Sequence, residues 1–155
     1  MSDDVLSVIP TDPHWQPDRP AADRAVALVT QMAPGLPDGT DVEIDVIWHD
    51  AVTVVDAGEN LEKIVCSLCG ASIDLGWWAD LLEAHCESGF ATLAVEVPCC
   101  GGETSLELLG YEWPCGFARF EIAIWNPERS WFDAGELAVL ASVIGHPLRQ
   151  VRAHI

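Results

Sequence analysis

The segment Ala118-Arg119-Phe120-Glu121-Ile122-Ala123-Ile124-Trp125-Asn126-Pro127, with the residues that follow it to Ile155, decides the reading of the fold. Ala118, Phe120, Ile122 and Ile124 alternate with Arg119, Glu121 and Ala123. That is the period of a strand with one buried face, and Asn126-Pro127 ends it. Asp133, followed three residues later by Glu136, has the form of a capping box. It opens a predicted helix whose Leu137, Leu140, Ala141 and Ile144 share a face, closed by Gly145 and Pro147. Val151, Ala153 and Ile155 then alternate with Arg152 and His154, giving a second strand.

The N-terminal part has the same order. Val5 to Ile9 is a short apolar run, and Pro10, Pro13, Pro17 and Pro20 behind it cannot continue a ladder. Ala22, Val26, Val29 and Met32 recur near helical spacing, Asp18 and Pro20 suit a helix start, and Pro34-Gly35 suits its stop. Val42, Ile44, Val46 and Trp48 alternate with Glu43 and Asp45, and Val52 and Val54 resume the alternation after His49-Asp50. This predicts one long strand or a hairpin.

Two strand-helix-strand units on one antiparallel sheet, with both helices on the same face, predict an α+β domain of ferredoxin-like arrangement. An α+β sandwich of other connectivity is the alternative. Residues 1–155 are long enough for one such domain, and residues 60–115 fall between its halves as an inserted subdomain. The insertion should project from one edge or end of the sheet.

The chemistry of the insertion lies in its cysteines. Cys66-Ser67-Leu68-Cys69-Gly70 places two thiols three residues apart on a tight turn, and the glycine frees the backbone to present both sulfurs together. A redox Cys-x-x-Cys would open a helix, whereas Ala71-Ser72-Ile73 follows here. Val95 to Val97, Pro98, Cys99, Cys100, Gly101 and Gly102 give an alternating strand, a proline stop, adjacent cysteines and a glycine turn, echoing the first turn. Four thiolates from Cys66, Cys69, Cys99 and Cys100 would close a tetrahedral structural zinc site, the insertion reading as a zinc-ribbon-like subdomain. Cys100 precedes glycine as Cys69 does, whereas Cys86 or Cys115 could take the place of Cys99 as fourth ligand. The alternative for both is a small buried apolar residue. Thr104 with Glu107 has the form of a helix-start capping box.

Pro10-Thr11-Asp12-Pro13-His14-Trp15, Cys66-x-x-Cys69-Gly70, Pro98-Cys99-Cys100-Gly101 and Trp113-Pro114-Cys115-Gly116-Phe117-Ala118-Arg119-Phe120 resemble segments of a group of small bacterial proteins with no established activity. The similarity runs over nearly the whole chain, although that group often has proline where Ser67 stands. The resemblance implies a zinc knuckle and no particular reaction.

Charge bears on function. The chain carries 25 acidic and 7 basic side chains, a net charge of −18, which would repel a nucleic-acid backbone. No apolar run approaches a membrane span, and the N-terminus lacks the features of a signal peptide, so a cytoplasmic location with reduced thiols is expected. Neither a nucleophile elbow nor a phosphate-binding glycine loop is present. His14, His49, His146 and His154 form no metal spacing, and the seven tryptophans read as core or boundary residues, some able to anchor a partner. The sequence therefore predicts a non-enzymatic, zinc-stabilised acidic module of adaptor, inhibitor or immunity type that binds a basic protein. A thiol-dependent redox enzyme or sensor is the alternative.

Overall fold

Strand β1 (Asp4–Pro10) lies in the middle of a four-stranded sheet. The computed structural model describes residues 3–33, 42–55, 62–85, 87–112, 115–127 and 129–154. Pro34-Gly35, Cys86, Trp113-Pro114 and Ile155, which figure in the sequence reading, lie outside them. Helix α1 (Arg19–Met32) starts where expected, since Asp18 stays extended and its carboxylate accepts the Ala21 N–H at 2.8 Å. Pro20 occupies the first turn, where its missing donor costs nothing. Strand β2 (Glu43–Val55) is one long strand and not a hairpin, although its register shifts between Trp48 and Thr53.

Strand β8 (Gly116–Trp125), helix α3 (Ala134–Ile144) and strand β9 (Leu148–His154) form the C-terminal unit. The capping box is present, with Asp133 accepting the Glu136 N–H and Glu136 accepting the Asp133 N–H. Gly145 closes α3 in the left-handed region at φ 89°, which a side chain would oppose. The sheet order is β2-β8-β1-β9, every neighbour antiparallel. Leu6 and Val8 of β1 and Phe120, Ile122 and Ile124 of β8 pack with Ala22, Ala25 and Val29 of α1 and Leu140 and Ile144 of α3. Both helices therefore cover one face, and the alanines of α1 permit its close approach to α3. Each large apolar side chain buried here contributes roughly 1.5–3 kcal/mol.

Arg129 ties the loop before α3 to both helices. Its guanidinium donates to the Met32 and Trp131 carbonyls, pairs with Glu136 and lies over the Phe132 ring. On the opposite face of the sheet, Val5, Ala123 and Ala153 pack with Ile47 and Trp125. Buried Ser7 donates there to Glu121 Oε2 at 2.5 Å.

Burial raises the Glu121 carboxyl above its ordinary value, offset in part by the Ser7 hydroxyl and by His49. A raised native pKa means that folding loses stability as pH climbs through the window between the unfolded and native values. Glu121→Gln keeps an acceptor for Ser7 and removes this penalty. The variant should be more stable than the parent at neutral pH, with the difference vanishing in acid. Paired denaturant titrations across pH check this, and a gap independent of pH would refute it.

The insertion runs β3 (Lys63–Val65), β4 (Ser72–Ile73), α2 (Leu75–His85), β5 (Ala94–Glu96), β6 (Glu103–Ser105), a single 3-10 turn over Leu106–Leu108, and β7 (Gly110–Glu112). It forms a three-stranded sheet of order β4-β3-β7 and a separate β5-β6 hairpin, again antiparallel. Thr104 belongs to β6 and caps nothing; Ser105 precedes the short turn without a side-chain cap. The strand pairing of Thr104 thus overrides its capping pattern.

A second core belongs to the insertion. Ile64, Ile73, Trp78, Phe90, Leu93, Val97, Leu106 and Leu109 pack with Val52 of β2 and Phe117 of β8. Phe90 meets Phe117 edge to face at 5.5 Å, and the Phe90 N–H donates to the Val52 carbonyl at 2.7 Å. The insertion is therefore seated on the end of the β2-β8 pair. Of the adjacent tryptophans of α2, Trp78 is buried and Trp77 only partly so, as successive helix positions require. Among the described residues no helix is long and apolar enough to cross a membrane.

Candidate metal centre

Two hairpin turns carry the cysteines. In the first, between β3 and β4, the Cys66 N–H donates to the Ala71 carbonyl at 2.9 Å and the Gly70 N–H to the Cys66 carbonyl at 3.1 Å. Gly70 has φ 76°, the left-handed geometry that brings Cys69 round to face Cys66. The second turn, between β5 and β6, has the same two bonds: Val97 N–H to Gly102 carbonyl at 3.0 Å, and Gly101 N–H to Val97 carbonyl at 2.9 Å. Gly101 repeats the left-handed conformation at φ 70°. The Ser67 and Thr104 hydroxyls meet across the turns at 3.0 Å.

The Sγ atoms of Cys66, Cys69, Cys99 and Cys100 all lie within 4.8 Å of one another, and those of Cys69 and Cys99 are 3.5 Å apart. Thiolates held about 2.3 Å from a tetrahedral ion would be spaced by about 3.8 Å. The donor set therefore fits, and the four cysteines could hold a metal ion. Cys66 is buried, whereas Cys69, Cys99 and Cys100 are exposed. All four are free thiols.

Electrostatics explains why such a group calls for a cation. The Cys66 sulfur accepts the N–H groups of Cys69 and Leu68, the latter at 3.3 Å, and its pKa falls to about 7 despite burial. Desolvation raises Cys99 to about 12, with the neighbouring Cys69 and Cys66 adding to the effect. Cys100 accepts the Gly102 N–H, which lowers its pKa, but desolvation and the adjacent sulfurs raise it overall. Four thiolates so close repel one another, and a divalent ion removes that repulsion.

Cys115 does not belong to this group. It is buried at the start of β8, its thiol donating to the Val55 carbonyl at 3.5 Å. Its position reads as the small apolar residue allowed for by the sequence, while Cys86 is outside the described residues. Three of the five histidines are engaged elsewhere: His146 stacks on Trp15, His85 stacks on Phe90, and the His154 ring contacts the Asp4 carboxylate. Comparison of the chain with protein-family models, with curated proteins and with solved structures gave no match.

Two features escaped the sequence reading. Superposing the turns by their hydrogen bonds sets Cys100 on Cys69, Cys99 on Leu68, and Val97 on Cys66. Counting back three residues from the cysteine before each glycine would have revealed this. The second feature is a pair of shallow cavities, of about 480 and 310 Å³, where β2 shifts register. They share Asp50 and Ala51, and Arg119 reaches the smaller one with a buried Nε–H that has no partner. No local motif marks them, because they are made by residues distant in sequence.

Proposed function

We propose that the chain is a zinc-stabilised, non-enzymatic interaction module. In this reading the β2-β8-β1-β9 sheet with its two helices is a ferredoxin-like frame, and the insertion is a zinc-ribbon-like subdomain closed by Cys66, Cys69, Cys99 and Cys100. The convergence of four sulfurs from two matching turns carries the zinc assignment. Soft thiolates favour zinc over the hard cations, and a set of four leaves no coordination position for substrate. Its role is structural.

The net charge of −18 supports a basic protein as partner, of the kind an adaptor, inhibitor or immunity protein would bind. Reduced thiols suit the cytoplasm. The resemblance of the two cysteine turns to those of small bacterial proteins fits the same picture.

Elemental mass spectrometry of natively purified protein tests the metal. One zinc per chain is expected, with the four cysteines shielded from alkylation until chelator is added; a metal-free protein with reactive thiols would overturn the assignment. For the partner, a basic protein should co-purify at fixed stoichiometry and dissociate as salt is raised. Failure to recover a stoichiometric partner, or one that ignores salt, would count against the interaction role.

A further inference from the structure

We infer that Cys99 is the detachable ligand of the metal centre, and that peroxide acts on it to close a Cys69–Cys99 disulfide and release the metal. The inference rests on the zinc reading and adds a modification site to it.

The matching turns supply the first observation. A regular knuckle offers its first and fourth positions, and the first turn does so with Cys66 and Cys69. In the second turn Cys100 fills the fourth position, but the first is Val97, whose side chain is fully buried in the insertion's core. The last sulfur therefore comes from the third position. There the first turn carries Leu68, 54% exposed at the tip. Cys99 is thus an exposed ligand placed where the turn normally points outward.

Hydrogen bonding supplies the second. Cys66 accepts backbone N–H groups from Leu68 and Cys69, and Cys100 accepts one from Gly102. Among the described residues no backbone amide donates to the sulfur of Cys99 or of Cys69. Amides directed at a metal-bound thiolate draw charge from it and orient it, so a ligand without them is both the most nucleophilic and the least restrained. Cys69 and Cys99 both combine this with solvent access, and of the two Cys99 alone stands at the irregular position of its turn.

The third observation selects its partner. Cys69 Sγ, also exposed, is 3.5 Å away and need close only to the disulfide length of about 2.0 Å. The adjacent Cys100 is disfavoured, because neighbouring Cα atoms are about 3.8 Å apart and a relaxed disulfide spans roughly 4.4–6.8 Å. In the first step the Cys99 thiolate attacks one oxygen of hydrogen peroxide, the O–O bond breaks, and hydroxide leaves. The product is a sulfenic acid. The Cys69 thiolate then attacks the Cys99 sulfur and expels the second oxygen as hydroxide. Solvent protons convert both hydroxides to water. Two thiolates have lost two electrons and peroxide has gained them, while the metal keeps its charge and is left with Cys66 and Cys100, too few ligands to retain it.

The test uses the zinc-loaded full chain. Hydrogen peroxide is added, free zinc is followed with a chromophoric chelator, and disulfides are mapped by mass spectrometry. One zinc released per Cys69–Cys99 disulfide is expected. The double variant Val97→Cys/Cys99→Ala moves the ligand to the regular position, and it should bind one zinc and release it about tenfold more slowly. Unchanged release from that variant, or a parent disulfide joining any other pair, would overturn the inference. Should the variant fail to fold, pulsed iodoacetamide on the parent replaces it: Cys99 must be the first of the four to react, and any other first site refutes the inference. Metal content before oxidation separates the two ideas, since a metal-free native protein sinks the zinc reading whereas the disulfide map judges Cys99.

Discussion

If the four cysteines hold zinc as proposed, its removal should dissolve the insertion while leaving the four-stranded sheet folded. The reason is connectivity. The two cysteine turns belong to different sheets, β4-β3-β7 and β5-β6, with no strand pairing between them among the described residues. Among the described residues, what joins the turns directly is the sulfur cluster, the Leu68 side chain lying against Gly102, and a contact between the Ser67 and Thr104 hydroxyls that is exposed and contributes little. Beneath them lies a core to which loops, α2 and the frame residues Val52 and Phe117 contribute, while the insertion's own strands are only two or three residues long. Such strands are marginal without a further tie. Structural zinc provides about 10–16 kcal/mol of apparent binding energy in small zinc-dependent peptides, far more than this core needs to switch between folded and unfolded. Chelation followed by amide exchange should therefore erase protection at Ile64, Cys66, Val97 and Leu106, while Leu6, Val8, Ile122 and Ile124 keep theirs. Cys69→Ser should reproduce the pattern without chelator, with a loss on the order of several kcal/mol in the insertion. Uniform protection before and after chelation would show that apolar packing alone holds residues 63–112 and would remove the structural role of the metal.

The same division between frame and insertion governs what could be read from the sequence. Frame elements announce themselves locally. The alternation at Ala118 to Ile124, the Asp133–Glu136 capping box and the Asp18 cap each state their own structure, and each is found in place. The sequence of β2 reads equally as one strand or a hairpin because His49-Asp50 interrupts its alternation. In three dimensions the interruption is a register shift against β8, a property of two strands together that one strand's residues do not encode. Cysteine spacing gave the four gathered sulfurs, since a glycine turn after a cysteine is a local signal. The mismatch of Cys99 was less visible, because the eye pairs cysteine with cysteine whereas the backbone pairs Cys66 with Val97. Thr104 misled for a related reason: a capping pattern is only a preference, and strand pairing in the β5-β6 hairpin outweighs it.

Phe120→Ala should cost about 3–5 kcal/mol of global stability, a large part of the roughly 5–15 kcal/mol margin of a folded domain. Phe120 is among the largest fully buried side chains, and it stands in β8 directly opposite Trp48 of β2, with ring centroids 4.8 Å apart. The Arg19 guanidinium lies over the Trp48 ring, so the aromatic pair also steadies the start of α1. Truncation to alanine would leave a cavity between sheet and helices that rigid strands cannot fill. The informative comparison is Phe117→Ala, three residues earlier in the same strand. Phe117 packs not with the helices but with Phe90 in the insertion's core. If the two cores are energetically separate, the cost of Phe120→Ala is the same with zinc and after chelation, whereas Phe117→Ala destabilises only the metal-loaded protein. Denaturant titrations of both variants in the two metal states give the four values needed. Equal metal dependence at both positions would mean that β8 transmits the state of the cysteine site through the frame, and the picture of an autonomous sheet with a metal-dependent insertion would fail.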